Sequence, residues 1–130
     1  MTMKRYSHLP WIILFGVYLA IVAWLCFSSG RTVPELPSTL WGIPTDKCIH
    51  FLMFLPFPVL GTVAFEFKSR WRALSVTTFT ALVIAFAFEL LQSRITEDRV
   101  TDPADLNANV LGITAGLFIM IVAGLLRSRK

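Results

Sequence analysis

Three polar motifs interrupt an otherwise apolar chain and carry the side chains that are able to do chemistry. The first, TDKCIHFLMF at 45–54, sets Asp46, Lys47 and His50 against the start of an apolar run. A carboxylate, an ammonium and an imidazole there either decorate the end of a helix or belong to a site that binds ligands or transfers protons. The other two motifs, FAFELLQSR and RVTDPADLNANVLG, contain Glu89, Gln92, Arg99, Asp105 and Asn109.

A binding site is the first chemistry that these residue types predict. Arg99, Lys47 and His50 are suited to a phosphate or a carboxylate, because charged donors make strong hydrogen bonds to such groups. Asn109 and Gln92 add neutral hydrogen bonds. Such a site needs complementarity to its ligand and no proton transfer.

Acid–base catalysis is the alternative. In an enzyme, His50 and Glu89 would be the catalytic pair, Arg99 would stabilise developing negative charge, and Asp105 and Asn109 would orient the substrate. The sequence contains no GxSxG and no HExxH motif, so the nucleophile would have to be water or a substrate hydroxyl.

A purely structural interpretation also exists for most of these residues. Asp102 before Pro103 has the pattern of a helix N-cap, which places Asp105 in the first turn. Asp105 and Asn109 are spaced i, i+4 and therefore share a helix face. Glu89 follows a long apolar run, where an ionisable group either serves a function or forms a buried pair that locks the bundle.

The composition indicates an integral membrane protein. The 130 residues are 55% hydrophobic and only 15% charged, and the mean hydropathy is +0.68. A helix needs about 20 apolar residues to cross the hydrocarbon, so four such segments fill the chain. We predict an all-α bundle of four transmembrane helices and one domain over 1–130, with spans at about 10–27, 50–67, 71–92 and 106–126.

The basic residues predict the orientation of the bundle. Eight of the twelve lysines and arginines precede the first predicted span, fill the second turn or follow the last span. By the positive-inside rule both termini are cytoplasmic, and the three polar motifs lie on the opposite side. The net charge of +4 then reflects topology, and we expect no nucleic-acid partner.

The first segment has two interpretations, a cleaved signal peptide or a retained anchor. Lys4 and Arg5 form a positive leader, as in a signal peptide. The apolar run is longer than a usual signal core, and Leu25 before Cys26 is unsuited to lipoprotein cleavage. We expect a retained anchor.

Cysteines and small residues predict packing more than chemistry. Cys26 and Cys48 lie near the ends of their spans, where a disulfide is chemically feasible. We expect both cysteines to serve in packing instead. No spaced His/Cys cluster suggests zinc, so we expect neither a metal nor a cofactor. Ala108, Gly112 and Gly116 form a small-residue ridge that should pack on a neighbouring helix, or alternatively on a second copy in a homodimer.

Taken together, the motifs resemble the VanZ-like family of small membrane proteins, named for a teicoplanin-resistance protein. The resemblance rests on DKCIHFLMF at 46–54, ELLQ at 89–92, Arg99 and DLNANVLGITAG at 105–116. The segment TED before Arg99 departs from the Pro-Gly turn of the family pattern. The family's recurrent polar positions fall on Asp46, Lys47, His50, Glu89, Gln92, Arg99, Asp105 and Asn109.

This resemblance implies a multi-pass protein of the bacterial cytoplasmic membrane with its polar pocket on the extracytoplasmic side. The expected function is to bind an outer-leaflet lipid or a lipid-linked wall precursor and so affect susceptibility to glycopeptides such as teicoplanin. The alternative is a membrane enzyme that modifies an envelope lipid with His50 and Glu89. A network that only closes the bundle is the third hypothesis.

Overall fold

Apolar helices of membrane length dominate the structure, a computed structural model that describes residues 8–27, 37–65, 67–95 and 102–130. Within these ranges, four helical segments are long and apolar enough to cross a membrane, the second made of two helices in succession. This confirms the predicted all-α, four-span fold. The elements are α1 (Leu9–Phe27), β1 (Thr39–Leu40), β2 (Ile43–Pro44), α2 (Thr45–Phe54), α3 (Pro56–Ala64), α4 (Arg70–Ile95) and α5 (Pro103–Ser128).

The second span begins at Thr45, five residues before the predicted start near residue 50. Asp46, Lys47 and His50 therefore lie within the first turns of α2 rather than ahead of it. The interruption between α2 and α3 falls at Leu55, whose backbone is still helical at φ −57° and ψ −43°. Pro56 has no N–H to donate, so the chain passes from α2 into α3 with one hydrogen bond missing.

A short β-hairpin precedes α2, in the connection between the first two predicted spans. Thr39 pairs with Pro44 and Leu40 with Ile43 in antiparallel register. The two turn residues, Trp41 and Gly42, have φ of 50° and 79°. A two-residue turn with both φ values positive twists in the same sense as the strands that it connects, which explains the tight hairpin.

The hairpin is tied to the start of α2 by two hydrogen bonds. The hydroxyl of Thr45 donates to the carbonyl of Pro37. The backbone N–H of Thr45 donates to the carbonyl of Ser38 over 3.1 Å. Since Thr45 is the first residue of α2, the hairpin and the helix that carries Lys47 are held together.

The helix α5 begins where the N-cap pattern predicts. Asp102 has extended backbone angles, and one of its carboxylate oxygens accepts from the N–H of Ala104 at 2.9 Å. Pro103 occupies the first helical position, where its missing N–H costs nothing. The capping interpretation of Asp102 is confirmed, and α5 starts three residues before the predicted span at 106.

Contact between α5 and the α2–α3 segment runs along the predicted ridge. Cβ atoms added at Gly112 and Gly116 would overlap the carbonyl oxygens of Phe51 and Leu55. Only residues without a side chain permit this approach of backbone to backbone, as the small-residue pattern predicts. A homodimer through Ala108, Gly112 and Gly116 stays a prediction, and it would require α5 to part from α2.

The hydrophobic core of the bundle is rich in phenylalanine. Phe54 and Phe57 are fully covered, and the rings of Phe15 and Phe57 meet edge to face with centroids 5.2 Å apart. Cys26 is buried in the same core, whereas Cys48 is half-buried on α2. The two cysteines do not form a disulfide with each other.

We predict that Gly112→Val lowers the stability of the bundle by about 1–3 kcal/mol, because the new side chain must push α2 away from α5. Thermal unfolding of the purified protein in detergent, followed by circular dichroism, measures the effect. Gly16→Val is the matched control: it makes the same change inside a helix, but a Cβ at Gly16 meets nothing within 4 Å. Equal melting temperatures for the two variants would contradict the close approach.

Candidate functional site

The ammonium of Lys47 lies at the centre of the polar end, the end of the bundle where α2 and α5 begin and α4 finishes. Its Nζ is 2.8 Å from Asp46 Oδ2 and 2.7 Å from Asp102 Oδ2, and it also pairs with Asp105. Three carboxylates thus face one ammonium, which leaves an excess of two negative charges. We call Asp46, Lys47, Asp102 and Asp105 the Lys47 cluster.

The imidazole of His50 lies beside this cluster, buried between α2 and α5. Its Nε2 is 3.6 Å from Asp105 Oδ2, and its Nδ1 is 3.0 Å from Asn109 Oδ1. His50 and Asn109 are both at least 97% buried. Asp105 and Asn109 share a helix face, as their spacing predicts, and together they fix the orientation of the ring.

Glu89 connects α4 to the start of α5. Its Oε1 accepts a hydrogen bond from the backbone N–H of Asp102 at 3.0 Å, so the carboxylate satisfies a donor that the helix itself leaves open. Because Asp102 also binds Lys47, a continuous polar network joins α4, α5 and α2. No contact between His50 and Glu89 occurs among the described residues, so the proposed acid–base pair is not a direct one.

Two atoms of this region are buried without a partner in the part of the chain that the structure describes. They are Oε2 of Glu89 and Nε2 of Gln92. Glu89 is 4% exposed and Gln92 3%, so bulk water does not compensate them. An unsatisfied buried donor or acceptor costs about 1–3 kcal/mol, which is a substantial cost for a bundle of this size.

Most of the residues predicted for the site are brought together by these contacts. Asp46, Lys47, His50, Glu89, Asp105 and Asn109 belong to the network, and Gln92 is buried one turn from Glu89 on α4. Arg99 lies outside the described residues. Asp102 has a second role that was not predicted from the sequence, because it binds Lys47 as well as capping α5. Its three-residue spacing from Asp105 was the available signal.

The Lys47 ammonium also controls the ionisation of Asp102. The hydrogen bond from Lys47 holds the pKa of Asp102 below its usual range, and the N–H of Ala104 acts in the same direction. Asp102 is therefore ionised at neutral pH even though a second and a third carboxylate lie nearby.

An apolar groove opens beside the Lys47 cluster, between α2 and α5 and under the hairpin. It encloses about 450 Å³, and Lys47 is the one charged residue among the described residues that line it. Trp41 at the hairpin turn is 95% exposed and borders its outer edge. The remaining walls are apolar and include Ile43, Cys48, Leu52 and Leu111.

Comparisons with known proteins give one match. No curated protein and no solved structure resembles the chain closely enough to count as a match. The sequence model of the VanZ/LLP1 family matches residues 15–124, which include most of every membrane-length helix described above. The resemblance predicted from the polar motifs is confirmed: this multi-pass membrane protein belongs to the VanZ/LLP1 family.

Proposed function

We propose that this VanZ/LLP1 protein binds a lipid or a lipid-linked wall precursor at its polar end, from the extracytoplasmic leaflet of the bacterial cytoplasmic membrane. By holding such a molecule it would change how much glycopeptide, such as teicoplanin, reaches its target. The distribution of basic residues supports this orientation, with both termini in the cytoplasm. The observation that carries the proposal is the unpartnered pair, Glu89 Oε2 and Gln92 Nε2.

These two atoms specify what a ligand must supply. A carboxylate oxygen needs a hydrogen-bond donor, and an amide nitrogen needs an acceptor. Glu89 and Gln92 are three residues apart on α4 and do not satisfy one another. Within a bilayer, unsatisfied polar groups are costly, so a ligand that presents a donor next to an acceptor gains the energy that the protein alone leaves unrealised.

The Lys47 cluster favours a ligand whose donor is an amine. Lys47 already contacts three carboxylates, so its charge is largely neutralised before any anion arrives. A phosphate would have to compete with those carboxylates, whereas a primary ammonium would add to a region with excess negative charge. Asp46 and Asp102 are the exposed members, with 59% and 45% of their side chains accessible. The role of Arg99 toward a phosphate of the same ligand stays a prediction, because Arg99 lies outside the described residues.

The apolar groove supports a lipid over a water-soluble ligand. It lies directly against Lys47 and is bounded by apolar side chains of α2, α5 and the hairpin. A volume of 450 Å³ is within the range of ligand pockets and suits part of one acyl or isoprenyl chain. A molecule with an amine-bearing headgroup and an apolar chain would therefore match both parts of the polar end.

A lipid-modifying enzyme is the second candidate, and the position of His50 favours it. Asn109 Oδ1 lies 3.0 Å from Nδ1 and orients the ring, whereas Asp105 Oδ2 is 3.6 Å from Nε2, which is beyond hydrogen-bond distance. With Nδ1–H donating to Asn109, Nε2 would carry the lone pair that a general base needs. For His50 and Glu89 to act together, the substrate would have to lie between them. Chemistry would then use water or a substrate hydroxyl, because no activated nucleophile lies among the described residues of the site.

The first prediction concerns Glu89→Gln, which retains an oxygen for the N–H of Asp102 but replaces the acceptor Oε2. We expect the variant to accumulate normally and to retain about one tenth of the lipid that co-purifies with the intact protein, since one charged hydrogen bond is lost. Mass spectrometry of lipids extracted from the purified proteins measures this. Leu90→Gln, on an exposed position of the same helix, is the matched control.

The same cells separate binding from catalysis. Binding predicts identical profiles of total membrane lipids and wall precursors with the intact protein and with Glu89→Gln at equal protein level. A new or missing lipid species that depends on Glu89 would instead establish chemistry and overturn the pure binding function. Equal amounts of every co-purifying lipid in Glu89→Gln and in the control would overturn the site itself.

The second prediction for the polar end tests how strongly Lys47 and Asp105 are coupled in the stability of the bundle. Lys47→Met leaves Asp105 without its cation, and we expect a loss of about 1–3 kcal/mol in stability at pH 7. Adding Asp105→Asn should restore part of it, because the uncompensated carboxylate is gone. Thermal unfolding of the two variants and the intact protein measures the coupling, and a double variant no more stable than Lys47→Met would contradict it.

The pH dependence of the Lys47–Asp102 pair follows from the lowered pKa of Asp102. A carboxylate whose pKa is lower in the folded state contributes stability above its unfolded pKa and loses it as the pH falls through its folded pKa. The intact protein should therefore lose this contribution on acidification, and Asp102→Asn should lack that part of the pH dependence. Melting temperatures of both proteins between neutral and strongly acidic pH test this, and parallel curves would contradict it.

A further inference from the structure

A second cavity lies at the opposite end of the bundle, where α3 and α5 finish and α4 begins. It encloses about 740 Å³, more than the groove beside Lys47, and has both polar and apolar walls. Its apolar side includes Val63, Phe65, Met120 and Ala123. Its polar side includes His8, Arg70 and Arg127. No part of the polar network described above reaches this end.

Arg70 is held in this cavity by a specific arrangement of α5. Its Nη2 donates to the carbonyl of Met120 and, over 3.2 Å, to that of Ile121. A Cβ added at Gly124 would overlap the guanidinium, so the side chain lies across the surface that the glycine leaves open. This position brings a residue at the start of α4 against the last turns of α5.

Some N–H groups of the Arg70 guanidinium remain available for a ligand. A guanidinium carries five N–H groups, and those on Nη1 and Nε have no acceptor among the described residues. Arg127, on the same wall, adds a second guanidinium. No acidic residue occurs among the described residues that line the cavity. Two guanidiniums that meet no carboxylate among the described residues are suited to an anion, and the planar fork of arginine matches phosphate in particular.

We propose that this cavity binds the headgroup phosphate of an anionic membrane lipid, with Arg70 and Arg127 on the phosphate. The apolar walls argue for a lipid over a soluble phosphate, because they continue from the basic residues into the membrane-length part of the bundle. The site differs from the polar end in charge and in ligand chemistry, so it does not depend on the function proposed there.

Lipid titration distinguishes a built site from general surface charge. The intact protein in detergent is titrated with phosphatidylglycerol or phosphatidylcholine, and the rise in melting temperature gives an apparent affinity. We expect stabilisation by phosphatidylglycerol only, and about tenfold weaker binding for Arg70→Gln, because charged hydrogen bonds to phosphate are lost. Gly124→Leu should weaken binding to a similar degree, since it displaces Arg70 without changing the charge of the protein.

Two controls match these variants. Arg72→Gln removes a positive charge from the same end, but Arg72 does not line the cavity. Gly16→Leu makes the same substitution where the added Cβ meets no other atom within 4 Å. Both should bind phosphatidylglycerol as the intact protein does. Arg70→Lys keeps the charge but lacks the planar guanidinium. Its apparent affinity for phosphatidylglycerol should lie between those of the intact protein and Arg70→Gln.

Three outcomes would overturn the proposal. Equal weakening by Arg72→Gln and Arg70→Gln would show general surface electrostatics. Normal binding by a folded Gly124→Leu protein would show that the position of Arg70 is unimportant; if this variant does not fold, the comparison of Arg70→Gln with Arg70→Lys decides in its place. Stabilisation by glycerol phosphate equal to that by phosphatidylglycerol would assign the cavity to a soluble phosphate and exclude the lipid.

Discussion

The contact of the Lys47 ammonium with carboxylates of α5 is the interaction on which the polar end depends. A lysine within a membrane-length helix is costly unless its charge is compensated. Asp102, the N-cap of α5, and Asp105, in its first turn, provide that compensation. The ion pairs thereby set how far α2 and α5 are shifted along one another. His50, one turn beyond Lys47, is consequently level with Asn109, one turn beyond Asp105.

Steric contact between the same two helices supplies the second constraint. Glycines at 112 and 116 allow the backbone of α5 to approach the carbonyls of Phe51 and Leu55. The glycine positions fix the distance and the facing sides of the helices, whereas the charges fix the register. A site built in this way needs no long loop to position it, because its side chains project from helices that are packed for reasons of membrane folding.

Much of this arrangement follows from patterns that are local in sequence. The four spans depend on apolar length, the cap of α5 on the Asp-Pro pair, and the shared face of Asp105 and Asn109 on helical periodicity. The hairpin was missed because Trp41, a bulky residue at φ 50°, is not a residue type that indicates such a turn. The predicted start of the second span, near residue 50, is too late because charged residues usually lie outside the apolar part of a span. Lys47 and His50 nevertheless lie inside α2.

The distribution of partners within the site could not be predicted from spacing alone. Lys47 meets residues that lie 55 and 58 positions away, and only the packing of α2 on α5 brings them together. The same packing determines which polar atoms stay unsatisfied. Glu89 uses one oxygen to hold the start of α5, and its other oxygen has no donor among the described residues. A carboxylate that served only the fold would gain stability from a second donor, and Gln92 on the same helix is near in sequence but does not provide it. The cost of that omission is the physical reason for proposing a ligand at the polar end.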